Sequence, residues 1–104
     1  MNTIQRTAEF DRWLGVLRDG KAKARVLARI ASAQHGNFGD CKAIGDGVRE
    51  MRIDVGPGYR LYFMRRAETV YLLLAGGDKA TQARDIRRAK TIVHELKERG
   101  AHRE

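Results

Sequence analysis

Arg60 is the residue of this chain hardest to explain by packing. It stands in Gly56-Pro57-Gly58-Tyr59-Arg60-Leu61-Tyr62-Phe63, where a tight turn feeds an apolar strand. Strand alternation puts Leu61 and Phe63 on one face and Arg60, Tyr62 and Met64 on the other. The run before the turn alternates in the same way. Met51, Ile53 and Val55 point to the apolar side, and Glu50, Arg52 and Asp54 point away. A single turn separates the two strands, so Glu50 and Arg52 become cross-strand neighbours of Arg60 and Tyr62. Guanidinium groups there could hold phosphate oxygens in a bidentate grip. Tyr62 could stack on a base or donate a hydrogen bond, and Glu50 could take a proton. The same residue types also suit a solvated sheet face with ion pairs worth little each, and both readings stand at this level.

A second place for chemistry is Gly76-Gly77-Asp78-Lys79, at a strand-to-helix junction. Free amides there favour anions, and Lys79 would project toward the open sheet face. The glycines equally well only permit a turn. No GK[ST] follows them, so this is not a nucleotide-binding loop. There is no CxxC, no HxxxH and no Cys/His cluster at metal spacing, and neither a metal nor a cofactor is expected. Cys41 has no basic partner in sequence. His35, His94 and His102 are scattered, and His94 reads as a surface residue.

The elements that must position these residues can be traced along the chain. Residues 2–6 suggest a short first strand. Thr7 caps a helix whose stripe is Phe10, Trp13, Leu14 and Leu17. Asp19-Gly20 breaks it, and a second helix runs from Lys21 to Gln34, burying Val26, Leu27, Ile30 and Ala33. Its outer face carries Lys21, Lys23, Arg25 and Arg29, and the short break folds the two helices into a hairpin. Residues 35–47 form a glycine-rich loop with an extended piece around Lys42 to Ile44. Three strands follow as an antiparallel meander, with Pro57 at the first corner of the turn and Gly58 at a positive φ. The meander ends at Gly76-Gly77-Asp78. Asp78 caps a last helix with Ala83, Ile86, Ala89, Val93 and Leu96 inward and Arg84, Arg87, Arg88 and Thr91 outward, and residues 100–104 fray. The order β-α-α-β-β-β-α defines a single α+β domain with helices on one face of a small, mainly antiparallel sheet.

The 104 residues carry a formal net charge of +8. Such a surface attracts polyanions. The excess is spread, with 8 basic against 5 acidic residues over 1–47 and 13 against 8 over 48–104, so a binding patch must be assembled by folding. Arginines outnumber lysines, 15 to 6, which favours phosphate contacts. No apolar run approaches the ~20 residues of a membrane span. The first residues are too polar for a secretory signal, and a lone cysteine fits a reducing compartment. A cytoplasmic protein without membrane partners is expected.

The segments "FDRWLGVLRDGKAKARVLARI", "GNFGD", "VREMRIDVGPGYRLYF" and "LLLAGGDKATQARDIRRAK" together resemble the addiction-module killer proteins, HigB-like members of the RelE/ParE toxin superfamily. The resemblance spans about residues 8–93. It implies the toxin of a type II toxin–antitoxin pair, a RelE-like fold, and an antitoxin partner, commonly of helix-turn-helix type. It further implies a ribosome-dependent endoribonuclease that cuts mRNA in the ribosomal A site without a metal. In that reaction the 2′-hydroxyl attacks the adjacent phosphate, leaving a cyclic phosphate and a free 5′-hydroxyl.

Carried over by residue, the resemblance puts Arg60 on the scissile phosphate and Lys79 at the basic position after the last strand. It makes Glu50 the base and Arg52 a phosphate clamp, with Tyr62, Arg49 and Arg84 as further substrate contacts. The chain lacks the paired strand lysines of the best-known mRNA cutters and has no histidine or tyrosine near its end in the expected place; Arg84 or His94 could fill the general-acid role, and none is assigned. On this reading loss of Arg60 abolishes toxicity and leaves the fold intact. Two alternatives remain, a ParE-like gyrase poison on the same scaffold and a non-catalytic basic binding module. A homo-oligomeric state is left open.

Overall fold

The structure, a computed structural model, describes residues 1–102. The chain runs through β1 (Thr3–Arg6), α1 (Ala8–Val16), α2 (Gly20–Gln34), β2 (Cys41–Gly45), β3 (Val48–Ile53), β4 (Tyr59–Ala67) and β5 (Val70–Asp78). A 3₁₀ turn over Lys79–Thr81 then leads into α3 (Gln82–His102). The α+β class holds, with one strand more than expected. The extended piece near Lys42–Ile44 is β2, paired antiparallel with β3. The sheet order is β1-β5-β4-β3-β2, and β1 joins the edge of β5 in parallel. Helix α3 runs to His102, and residues 103–104 of the expected frayed tail lie outside the described part.

Local chemistry sets most boundaries. The Phe10 amide donates to Thr7 Oγ1 at 3.0 Å, which fixes the start of α1. Asp19 Oδ1 accepts from the amides of Lys21 and Ala22 and starts α2. Asp78 closes a capping box with Thr81 and starts the turn that leads into α3. The β3–β4 turn differs in detail from expectation. The Gly58 amide donates to the Val55 carbonyl at 3.1 Å, so Gly56 takes the first corner and Pro57 the second. Gly56 and Gly58 both have positive φ, +56° and +80°, which only glycine adopts freely.

The main departure concerns the layers. Helices cover both faces of the sheet, not one. Phe10 and Leu14 of α1 and Val26 and Ile30 of α2 pack on Met51, Ile53, Leu61, Phe63 and Leu73. Ala89, Ile92 and Val93 of α3 pack on Val48, Tyr62, Leu72 and Leu74 on the other side. The physical signal is the unbroken burial of Leu72 to Ala75. A strand apolar at every position is covered on both faces. The inward stripe of α3 holds the expected Ile86, Ala89, Val93 and Leu96 together with Asp85 and Ile92, while Ala83 is exposed. On α2, Leu27 is exposed and Ala22 takes its place in the core.

Arg29 also leaves its expected place on the outer face of α2. Its guanidinium donates to the carbonyls of Arg52 at 2.7 Å and Phe38 at 2.9 Å, tying α2 to β3 and to the loop before β2.

Gly76 and Gly77 lie inside β5, not in a loop. A Cβ on Gly76 would run into the Trp13 ring on one face, and a Cβ on Gly77 would run into the Asp85 carboxylate on the other. Their lack of side chains is what lets α1 and α3 close on the two sides of one strand. Overpacking a filled site costs ~1–3 kcal/mol. Gly76→Ala and Gly77→Ala are each expected to lower stability by about that amount in urea unfolding, and wild-type midpoints would show that the glycines serve no packing role.

Candidate phosphodiester site

Arg52 and Arg60 stand directly opposite each other on β3 and β4, and Gly77 of β5 pairs with Arg60 from the other side. Like charges in register repel, and each guanidinium has a counter-charge. Arg52 Nη2 contacts Asp40 Oδ1 at 2.9 Å. Arg60 Nε lies 3.6 Å from Glu50 Oε2, and Arg60 Nη1 donates to the Gly58 carbonyl at 3.1 Å. The two arginines line a cleft of about 250 Å³ with Asp40, Ile53, Asp54, Gly58 and Lys79. Neither the Arg52 Nε–H nor the Arg60 Nε–H has a hydrogen-bond partner, although both atoms are buried. Two adjacent guanidiniums on the wall of one cleft, with an ammonium beside them, form a set suited to a phosphate.

Behind Arg60 the site is closed. Glu50 is 0% exposed, and the Arg60 side chain only 14%. The first residue of α3, Gln82, donates from Nε2 to Glu50 Oε2 at 2.9 Å. Tyr62 lies opposite Glu50 on β4 and is fully buried under α3. Burial raises the Tyr62 phenol pKa far above its ordinary value, and the nearby Glu50 carboxylate adds to the shift. No aligned hydrogen bond joins the two, for both the Tyr62 hydroxyl and Glu50 Oε1 are without partners. Nearby, Asp85 accepts a short hydrogen bond from Thr81 Oγ1 over Gly77.

The sequence-predicted residues thus separate into groups. Arg60, Arg52 and Lys79 converge on one cleft. Glu50 reaches the site only through Arg60, because α3 seals it from solvent; a carboxylate so placed fixes a guanidinium rather than meeting a substrate hydroxyl. Tyr62 cannot stack on a base, since α3 covers it. Arg49 faces the opposite side of the sheet, its Nη2 3.5 Å from Cys41 Sγ. Arg84 is 73% exposed beside Asp85 and does not line the cleft. The sequence reading passed over Gln82 and Asp40. Gln82 had a signal in the Asp78 cap, which sets the phase of α3, whereas Asp40 sits in an irregular loop. Among the described residues no group of three or more His, Cys, Asp or Glu is placed to hold a metal ion, and no helix is long and apolar enough to cross a membrane.

The match to known proteins covers this whole site. The family described as "Phage derived protein Gp49-like (DUF891)" matches residues 12–98. The chain belongs to this Gp49-like family, a toxin–antitoxin-associated family related to RelE-like toxins. It is also 48% identical over 93 residues to an uncharacterized protein of Haemophilus influenzae (strain ATCC 51907 / DSM 11121 / KW20 / Rd), a match covering 89% of this chain and 94% of the relative. No solved structure matches the chain.

Tyr62 gives the site a measurable alkaline signature. An unfolded tyrosine loses its proton near pH ~10, while the buried phenol holds its proton to higher pH. Above ~10 the unfolded chain is therefore favoured and stability falls as pH rises. Tyr62→Phe removes this dependence and a buried hydroxyl without a partner. It is expected to match or exceed wild-type stability at neutral pH and to lose less melting temperature between pH ~9 and ~11. An alkaline limb as steep as wild type would contradict this placement of Tyr62.

Proposed function

We propose that this chain is the toxin of a type II toxin–antitoxin module, a HigB-like endoribonuclease of the RelE/ParE superfamily that cuts mRNA on the ribosome. The observation that carries the reading is the pairing of Arg52 with Arg60 across β3 and β4, on one cleft with Lys79, with Glu50 buried behind Arg60. The family's toxin–antitoxin association and the +8 charge support it. An antitoxin, proposed as a helix-turn-helix protein, is the protein partner, and the cytoplasm is the setting.

The reaction attacks the scissile phosphorus with the adjacent 2′-hydroxyl. The P–O5′ bond breaks and the departing 5′-oxygen takes a proton from solvent, leaving a 2′,3′-cyclic phosphate and a 5′-hydroxyl. Arg60 and Arg52 hold the phosphate oxygens and stabilise the phosphorane, where losing one donor costs ~3–4 kcal/mol. Arginine is a poor general acid because its pKa exceeds ~12, so the guanidiniums act through charge. Lys79 adds an ammonium at the rim of the cleft. The proton of the attacking hydroxyl needs a carboxylate that faces the cleft. Asp40 is engaged by Arg52, and Asp54 lines the cleft without an ion-pair partner among the described residues. Asp54 takes the base role here, and Glu50 holds Arg60 in place.

Burial changes what loss of Arg60 is expected to do. Removing one member of a buried pair strands the other charge and costs ~3–5 kcal/mol. Arg60→Ala is therefore expected to lose both toxicity and stability, whereas the sequence alone suggested an intact fold. The double variant Arg60→Ala/Glu50→Gln removes the stranded charge. It should regain most of the stability in urea unfolding and remain non-toxic on induction. Growth arrest by that double variant would refute the assignment. So would gyrase–DNA complexes trapped by wild type while mRNA stays intact. Asp54→Asn should retain the fold and slow mRNA cleavage at least ~100-fold, the usual scale of lost general-base catalysis; primer extension after induction reads this, and unchanged cleavage would move the base elsewhere.

A further inference from the structure

A second cleft, also of about 250 Å³, lies on the face of β3 and β4 opposite Arg60. It is lined by Phe38, Cys41, Arg49, Phe63, Arg65 and Tyr71. The Phe38 ring stacks on Phe63 with centroids 5.2 Å apart and planes 10° from parallel. Tyr71 lies tilted against Phe38 at 4.8 Å. Phe63 is buried, but Phe38 and Tyr71 are only partly so. Two guanidiniums flank these rings. Arg49 is exposed, with its Nη2 3.5 Å from Cys41 Sγ. Arg65 is held in place by donating to the carbonyls of Ala67 and Glu68.

Partly exposed aromatic rings beside arginines form the set that receives an unstacked base and its phosphate. A duplex does not offer that base, since its faces are already stacked. The cleft is also tied to the Arg60 site. Residues 38–41 run between the two, with Phe38 and Cys41 lining one cleft and Asp40 the other. Arg29 donates to the Phe38 and Arg52 carbonyls and so fixes the two sites relative to each other.

We propose that this aromatic cleft is a subsite for an unpaired base of single-stranded RNA, the same strand whose phosphate occupies the Arg60 cleft. This rests on the endoribonuclease reading and adds to it a binding site away from the reacting atoms. Phe38 and Tyr71 receive the base, and Arg49 faces its phosphate.

The test is fluorescence anisotropy with a short, labelled, single-stranded 2′-O-methyl oligoribonucleotide, which cannot be cut, and with its duplex. Phe38→Leu is expected to weaken single-strand binding about tenfold, the scale of one lost base–aromatic stack, and to leave duplex binding unchanged. Arg49→Glu, at an exposed position that the core does not need, should weaken single-strand binding and lower the salt slope by about 0.7, one phosphate contact. It therefore reports even if Phe38→Leu does not fold. Unchanged single-strand affinity in Arg49→Glu, or parallel loss of single-strand and duplex binding in Phe38→Leu, would overturn the subsite. Cleavage is scored separately by primer extension on induced cells. If wild type cuts no mRNA while these variants still lose single-strand binding, the nuclease reading falls and the subsite stands.

Discussion

The ion pair between Arg60 and the fully buried Glu50 is the constraint on which the site depends. Moving a carboxylate out of water costs several kcal/mol even after the protein relaxes. The cost is met only if a cation and hydrogen-bond donors are held close by. Arg60 supplies the charge and Gln82 the donor. The arrangement works in both directions. Glu50 cannot be buried without Arg60, and Arg60 cannot wander without stranding Glu50. A flexible surface arginine thereby becomes a fixed guanidinium at the wall of a cleft.

Helix α3 makes this pair buried rather than exposed. Its start is fixed by Asp78, which sits at the end of the strand that pairs with β4. The cap therefore sets the distance from Arg60 to the first turn of α3. Gly77 lets that turn approach the sheet, with Asp85 and Thr81 occupying the space a side chain would need. On the reverse face Gly76 admits Trp13 of α1. Two adjacent glycines thus close the molecule on both sides at the strand next to the site. In sequence the same pair suggested an anion-binding junction or a plain turn, not a packing role.

The electrostatics of the cleft follow from register. Pairing Arg52 with Arg60 places two like charges side by side, at a cost a purely structural sheet avoids. Asp40 and Glu50 offset part of it from opposite directions, one from an exposed loop and one from the core. The remaining positive charge has an open side toward the cleft, where Lys79 adds to it. The phosphodiester reading rests on this uneven neutralisation more than on the net charge of the chain, which is spread over the surface.

How much of this was legible in the sequence depends on the range of the interaction involved. Thr7 and Asp78 announced their helices because a cap acts over two or three residues. Alternation in residues 50–55 and 59–64 placed Glu50, Arg52, Arg60 and Tyr62 on one face, because the period of a strand is a local property. Which faces would be covered is not local. The unbroken apolar run Leu72–Leu73–Leu74–Ala75 carried a hint of two covered faces, but only assembly showed that α3 lies over Tyr62 and Glu50 and seals them from water. Arg29 looked like a surface cation until folding gave it the carbonyls of Phe38 and Arg52, and Arg49, expected beside Arg60 at the substrate, stands on the opposite face at an aromatic cleft. The order of residues by itself determined the strands, the caps and the side of the sheet on which Arg60 stands. Tertiary structure alone decided which charged groups are dry, because burial depends on what packs above a residue and not on its neighbours in the chain.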